Sequence, residues 1–426
     1  MEATKPAQVL KLLRLYQAAL DAADPLKVVP RHLPPVPRGR TVVVGMGKAA
    51  AAMAAAVETN WYGNLSGVVV VPPGAAIPLR RIRCLEGSHP IPSEGSVVAA
   101  QQLMKAVENM GTDDLVLALI SGGGSSLCAM PASGLSLRDK QKITQNLLSR
   151  GATIGEINVV RKHLSAIKGG RLAEAAYPAR VVTLLISDIP GDDPALIASG
   201  ATLPDPTTCE DALAVLKRYD IDDFPHVNHA LSTSAWESIK PNAARHSRNT
   251  HQVVACAWDG LLAAKHQAGT DGLKCHILSD AMEGEARDLA LSHAAIALSV
   301  ANHNTPFNSP CVIISGGEAT VTLGGKGLGG RNTEFALSLA LALEGRNGAS
   351  RIHALSAGTD GLDGTSCAAG AWISPGTLSE ARLNGLNPRK SLDDNDSATL
   401  LNIAGALIHT GPTLTNINDF RAVLIE

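Results

Sequence analysis

The chain has 426 residues, 45% of them apolar and 18% charged, and its 37 Lys and Arg nearly balance 39 Asp and Glu. A net charge of −2 with only 3% aromatics supplies neither the basic excess that grips a nucleic-acid backbone nor a platform for stacking bases. The length suits two domains, no apolar run approaches the roughly 18 residues that span a bilayer, and 40 glycines with 24 prolines point to a turn-rich α/β enzyme.

Residues 1–21 carry Lys5, Lys11 and Arg14 among leucines, which predicts a helix rather than a signal peptide. From there the recurring unit is a continuous apolar run, a glycine-rich turn and a helical stretch. Run 41–44 leads into Gly45-Met46-Gly47-Lys48 and the alanine-rich 49–57, and run 67–71 into Pro72-Pro73-Gly74. Run 115–120 leads into Ser121-Gly122-Gly123-Gly124-Ser125-Ser126, and run 181–186 into Ser187-Asp188-Ile189-Pro190-Gly191-Asp192. Runs that do not alternate belong to strands buried on both faces, as in a parallel sheet. With helices expected at 94–109 and 138–150, the pattern predicts a layered, Rossmann-like α/β domain.

Beyond a polar connection at 242–249 a second α/β alternation begins, with strands expected at 253–257, 274–278, 311–314, 319–323 and 351–356. Helices are expected at 259–268, 284–302 and 332–344. We place the boundary near 240, giving domains 1–240 and 241–426. Seven cysteines without a Cys-x-x-Cys pair argue against a zinc site or a disulfide framework and for a cytoplasmic location.

Three loops suit anions, because backbone N–H groups approach a phosphate closely only where no Cβ intervenes. In the first, Gly45 and Gly47 form a turn and Lys48 stands at a helix start, able to reach a polyphosphate. The same turn fits a dinucleotide fingerprint, but the acid expected after the next strand is replaced by Pro72-Pro73. The plain alternative is a tight turn with an exposed lysine. The second loop offers Gly122, Gly123, Gly124, Ser125 and Ser126. The third, 324–331, contains Gly327, Gly329 and Gly330 and ends in Arg331, whose charge opposes the dipole of the following helix unless an anion sits there.

Carboxylates gather at strand ends: Asp188, Asp192 and Asp193; Asp360 and Asp363; and Asp393, Asp394 and Asp396. Hard oxygen donors of this kind suit Mg²⁺, although Asp-Gly pairs also simply make turns. In the segment 156–171, Arg161, Lys162, Lys168 and Arg171 can share part of a helical face and hold a small anion. His89 and His163 are candidates for acid–base work, though a lone histidine is more often structural.

These motifs together resemble the glycerate 2-kinases of the MOFRL family, the class II glycerate kinases. The resemblance covers nearly the whole chain and rests on VVVGMGKAA (42–50), GSHPIPSEGS (87–96), LISGGGSSL (119–127), EINVVRKHLSAIKGGRLA (156–173), SDIPGDDPALIASGATLPDPTT (187–208), GGKGLGGRNTEFAL (324–337), SAGTDGLDG (356–364), NDSAT (395–399) and TGPTLTNINDF (410–420). It implies two α/β domains with the active site in the cleft between them, and a MOFRL region at about 311–420. It implies ATP-dependent phosphorylation of D-glycerate at O2, giving 2-phosphoglycerate, with a divalent cation such as Mg²⁺. It places the catalytic cations on Lys48 and Arg331 and the carboxylates on Asp188, Asp192 and Asp360, with Asp188 and Asp360 the metal candidates. Glycerate then belongs with Arg161, Lys162 and Lys168, and the nucleotide with the glycine loops. The expected partners are glycerate and ATP, with no nucleic acid and no membrane, and a homodimer is a candidate assembly. The competing reading is an NAD(P)H-dependent hydroxypyruvate reductase using the 45–50 turn.

Overall fold

The computed structural model describes residues 5–426, so the first four residues of the expected N-terminal helix lie outside the described residues. The chain divides into two compact units: 25–187 with 192–254, and the N-terminal segment to Asp24 with Asp188–Gly191 and Ala255–Glu426.

The first unit is built on a sheet of β1 (Thr41–Met46), β2 (Leu65–Val71), β3 (Ile82–Glu86), β4 (Leu115–Ser121), β5 (Arg180–Ile186) and β6 (Thr250–Ala255). Its order is β3-β2-β1-β4-β5-β6, and β1 to β5 run parallel. Strands β1 and β4 are buried along their full length, as their non-alternating apolar sequences require. The order reverses between β1 and β4, which sets the loops after these two strands side by side at the switch point where such sheets bind ligands. Helix Ala50–Asn60 buries its alanines against the sheet, small side chains permitting a close approach. Helices Leu137–Ser149, Ile154–His163, Cys209–Arg218 and Pro225–Ser232 share a separate apolar core around Ile143, Ile157, Leu216 and Trp236.

The second unit carries β7 (Lys274–Ile277), β8 (Met282–Glu285), β9 (Cys311–Ser315), β10 (Gly317–Thr320), β11 (Ile352–Gly358), β12 (Gly370–Ile373), β13 (Leu407–Ile408) and β14 (Asp419–Ile425). Its main sheet runs β13-β12-β11-β14-β9-β7, and β8 pairs with β10 separately. Only the β7–β9 pairing in the main sheet is parallel. The fully buried runs of β9, β11 and β14 therefore sit in a largely antiparallel sheet with both faces covered. Burial on two faces, rather than strand direction, produces the continuous apolar pattern.

Two features differ from the expected division at 240. Residues 250–255 add β6 to the first sheet, so the chain leaves that unit for the last time after Val254. Helix Ala7–Ala22 belongs to the second unit: Val9, Leu12, Tyr16 and Ala19 form one helical face that packs with Leu261, Ala264 and residues of β11 and β14. No helix among the described residues is long and apolar enough to cross a membrane.

Candidate active site

In the first unit the turn after β1 is held by its own amides. Gly47 N donates to Val70 O, Lys48 N to Gly122 O, Ala49 N to the Ser121 hydroxyl and Ala50 N to Gly47 O. Gly47 has φ +130°, and a Cβ there would stand 2.2 Å from Ser121 Oγ, so only glycine lets the turn lie against β4. The amides of Gly47, Lys48 and Ala49 thus fasten the turn to its neighbouring strands. What the turn presents is the half-buried Lys48 side chain.

The loop after β4 comes next to it. Gly123 has φ +79°, and a Cβ there would lie 3.1 Å from His89 Cδ2 and 3.6 Å from Lys48 Cγ, which places His89, Lys48 and this loop together. The short helix Gly124–Leu127 follows, so the amides of Gly124 and Ser125 have no partner within it. Ser125 Oγ lies 2.8 Å from Ser199 Oγ, which donates to Asn158 Oδ1 at 2.8 Å. Ala198 and Ser199 both adopt positive φ, of 50° and 57°, an uncommon backbone for non-glycine residues that fixes Ser199 against the loop.

The basic segment does not form one helical face, because the helix ends at His163 and the next begins at Arg171. Arg171 donates to the carbonyls of Lys162, Lys168, Trp236 and Glu237, and Lys140 to those of Arg161 and Leu164. These cations satisfy a helix C-terminus. Lys162, expected to hold substrate, is buried in an ion pair with Asp205 at 3.2 Å. Burial raises the Asp205 carboxyl, but the Lys162 ammonium and the Thr207 donors outweigh it and hold the group below its usual range. Lys168 is buried, its ammonium donates to Cys128 O at 2.9 Å, and desolvation together with Arg161 lowers its pKa to about 8. Among the described residues the Arg161 guanidinium makes no hydrogen bond, and burial lowers its pKa. Arg161 and Lys168 thus keep charge to offer an anion.

His163 is structural, pairing with Val159 O and Glu237. Together with Cys209 it is part of the one trio of metal-type donors among the described residues, but the Lys240 ammonium, 2.5 Å from Glu237, already supplies a cation there. All seven cysteines are free thiols.

In the second unit the third glycine loop wraps the segment 394–397. A Cβ on Gly325 would lie 2.1 Å from Asp394 O, and one on Gly327 2.3 Å from Asp396 Cβ. Gly327 N donates to Asp394 O, Gly329 N to Thr365 Oγ1 and Gly330 N to Thr333 Oγ1. The amides of Gly327, Gly329 and Gly330, expected to cradle a nucleotide, are here used within the unit. Asn395 completes the lock by accepting from the amides of Gly324 and Gly325 and donating to buried Glu334.

Arg331 opens helix Arg331–Leu343, and the anion its position demands comes from the protein: Nε donates to Asp419 Oδ1 at 2.8 Å and Nη1 to Glu318 at 2.7 Å. Desolvation opposes its charge, but these two carboxylates raise its pKa further. Its side chain stays 27% exposed.

The acidic candidates separate. Asp188 belongs to the second unit, where Asn416 Nδ2 donates to its Oδ2 at 2.8 Å and Asn418 Nδ2 to its carbonyl. Asp360 O accepts from Thr413 N, and Ile417 N donates to the hydroxyl of the adjoining Thr359. The strap 413–418 thus binds the segments that carry Asp188 and Asp360. Asp192 falls in the first unit with φ +53°. Asn416, Asn418 and Asp419 were legible only as part of the 410–420 motif, and no spacing rule singles them out.

Two family models match the chain: a domain of unknown function, DUF4147, over residues 11–232, and the MOFRL family over 311–419. The chain is similar to the D-glycerate 2-kinase of Thermotoga maritima, 39% identical over 99% of each chain. The chain belongs to the MOFRL family of glycerate kinases. The crystal structure of glycerate kinase from Thermotoga maritima shares the family fold, with a TM-score of 0.87 and 38% identity, covering 99% of this chain and 100% of that one. A protein of Agrobacterium vitis, provisionally named hydroxypyruvate reductase, is 51% identical over 98% of this chain and 94% of its own.

Proposed function

We propose that this glycerate kinase is an ATP-dependent glycerate 2-kinase, transferring the γ-phosphoryl group to O2 of D-glycerate. The observation that carries the reading is Arg331: a partly exposed side chain at the head of a helix, its guanidinium anchored on Asp419 and Glu318. A fixed cation of this kind suits the charge spread over a transferring phosphoryl group, where positioning and electrostatics supply most of the catalysis.

In the first unit Lys48 supplies a second, more flexible cation, with the opening amides of the Gly124–Leu127 helix beside it as donors to phosphate oxygens. The glycerate carboxylate is assigned to Arg161 and Lys168, whose charges are not consumed by the fold. In the second unit Asp188 and Asp360 are hard oxygen donors on segments tied to one strap, which fits a magnesium ion. When bound, such an ion neutralises phosphate charge. Asp188 or Asp192 orients the 2-hydroxyl and takes its proton. Free cysteines accord with a cytoplasmic location.

The name of the Agrobacterium vitis relative keeps a reductase in view. The turn at 45–50 argues against it in this chain, because its amides are spent on Val70, Gly122 and Ser121 and do not form a pyrophosphate nest. The test is a coupled assay with D-glycerate, ATP and Mg²⁺ in which added enolase consumes the product. Signal without added mutase establishes both the kinase and the O2 acceptor. Signal that requires a mutase moves the acceptor to O3, and oxidation of NADH by hydroxypyruvate without kinase signal replaces the reading with the reductase.

A further inference from the structure

The turn that follows β11 contains a buried carboxylate that none of the chemistry above uses. Asp363 is 1% exposed, and its two oxygens accept four hydrogen bonds from the first turn of helix Arg331–Leu343. Oδ1 accepts from Asn332 N at 2.8 Å and Asn332 Nδ2 at 3.3 Å, while Oδ2 accepts from Thr333 N and Thr333 Oγ1, each at 2.8 Å. A residue some thirty positions downstream thus does what an N-cap does for the helix that begins at Arg331. The N-cap position itself is Gly330, which has no side chain to cap with, and a Cβ there would stand 2.5 Å from Asp363 Oδ1.

The same carboxylate reaches Arg331 by a second route. Asn332 Nδ2 bridges Asp363 Oδ1 and Asp419 Oδ1, and Asp419 Oδ1 is the atom that receives Arg331 Nε. The side-chain oxygen Oδ1 of Asn332 in turn accepts from Ser356 Oγ at 2.7 Å. One buried group therefore fixes both the helix turn from which Arg331 projects and the carboxylate on which its guanidinium rests.

We propose that Asp363 is the positioning residue for Arg331, acting as an ionised remote cap that holds the guanidinium in its working orientation. This rests on the proposed role of Arg331 in phosphoryl transfer. It assigns to Asp363 neither contact with substrate nor a metal.

The environment makes the device sensitive to protons. Burial raises the Asp363 carboxyl to about 6, with the Asp419 charge adding to the rise, against the opposing pull of the Asn332 and Thr333 donors. The charged groups around it are Asp419 on β14, the two arginines paired to Asp419, namely Arg331 on the helix and Arg421 on β14, and Glu318 on β10 beside Arg331. Glu334, one turn along the helix, is already paired with Arg287. A protonated Asp363 carries one hydroxyl and cannot accept all four bonds, so the cap opens as the group takes up its proton.

The test uses the full-length enzyme and its kinase assay. Wild-type kcat is expected to fall on the acid side with an apparent pKa near that of Asp363. Asp363→Asn mimics the protonated acid at every pH. It should lower kcat by about tenfold or more with little change in either KM, and it should flatten the acid limb. Placed on Arg331→Ala, it should cause no further loss, because its effect passes through that side chain. A folded Asp363→Asn enzyme with wild-type kcat, or with the acid limb intact, overturns the proposal. So does a full additional loss on the Arg331→Ala background. If Asp363→Asn does not fold, Thr333→Val removes one of the four bonds to Asp363, together with the acceptor that its hydroxyl offers to Gly330 N and Ser397 Oγ. A smaller fall in kcat with an acid limb moved to higher pH then supports the proposal, and an unchanged profile overturns it. Wild-type turnover in Arg331→Ala would instead remove the underlying reading of Arg331, a result separable from the behaviour of Asp363.

Discussion

The guanidinium Nε of Arg331 lies 2.8 Å from Oδ1 of Asp419, and the other oxygen of that carboxylate lies 2.8 Å from the buried guanidinium of Arg421. Asp419 therefore serves two cations, one partly exposed and one within the core. Asp419→Ala should leave Arg421 as an uncompensated buried charge and destabilise the protein by about 3–5 kcal/mol, read as a lower urea midpoint. Arg331→Ala leaves that core pair in place, so it should lower turnover by about 10³-fold without a comparable loss of stability. Arg331→Lys should not restore it, since a point charge does not reproduce two directed bonds to Asp419 and Glu318.

Lys48 contributes its side chain while its amide is bound to Gly122 O. Lys48→Ala should keep the turn and the fold and lower kcat by about 10²-fold or more. Near-normal turnover with a circular dichroism spectrum like that of the wild type would remove it from the mechanism.

Lys162 and Asp205 form a buried pair at 3.2 Å. Asp205→Ala should cost about 3–5 kcal/mol because it strands the ammonium in the interior. The folded Asp205 carboxyl lies below its unfolded value. Its contribution is therefore present above the ordinary Asp range and lost as pH falls through the lowered value. Acid unfolding of the wild type should show this loss, and the variant should show a shallower dependence over the same window.

Lys168 titrates near 8 because burial disfavours its charged form. With a folded value below the unfolded one, stability should rise with pH between about 8 and 10.4. Lys168→Met should remove that rise. If Lys168 receives the glycerate carboxylate, KM for glycerate should climb as pH passes its pKa, and the variant should show a high KM without this climb.

Much of the first unit is readable because its strands are buried on both faces and its turns fall where glycines interrupt apolar runs. Those two facts give β1, β2, β4 and β5 and the loops at their ends. The same rule applied to β9 and β11 finds the strands but not their direction. Their partner β14 comes from the end of the chain and runs antiparallel to both, a pairing that no local pattern records. Helix Ala7–Ala22 is legible as an apolar stripe, whereas its place in the second unit follows from which apolar surface that stripe meets.

By itself the sequence determined the types of residue at each strand end and the charges that chemistry needs, Lys48 and Arg331 among them. Spacing along a chain reports what can lie in a turn or on one helix face, and it does so over a few residues. Only the tertiary structure decided how each donor is used. The amides of Gly47, Gly327, Gly329 and Gly330 are spent inside the protein, and Lys162 is paired with Asp205. The anion beside Arg331 is Asp419, whose carboxylate in turn meets Asn332, the residue bound to Asp363. Each of these partners lies far away in sequence, and a buried polar group takes whatever complementary group the fold brings to it.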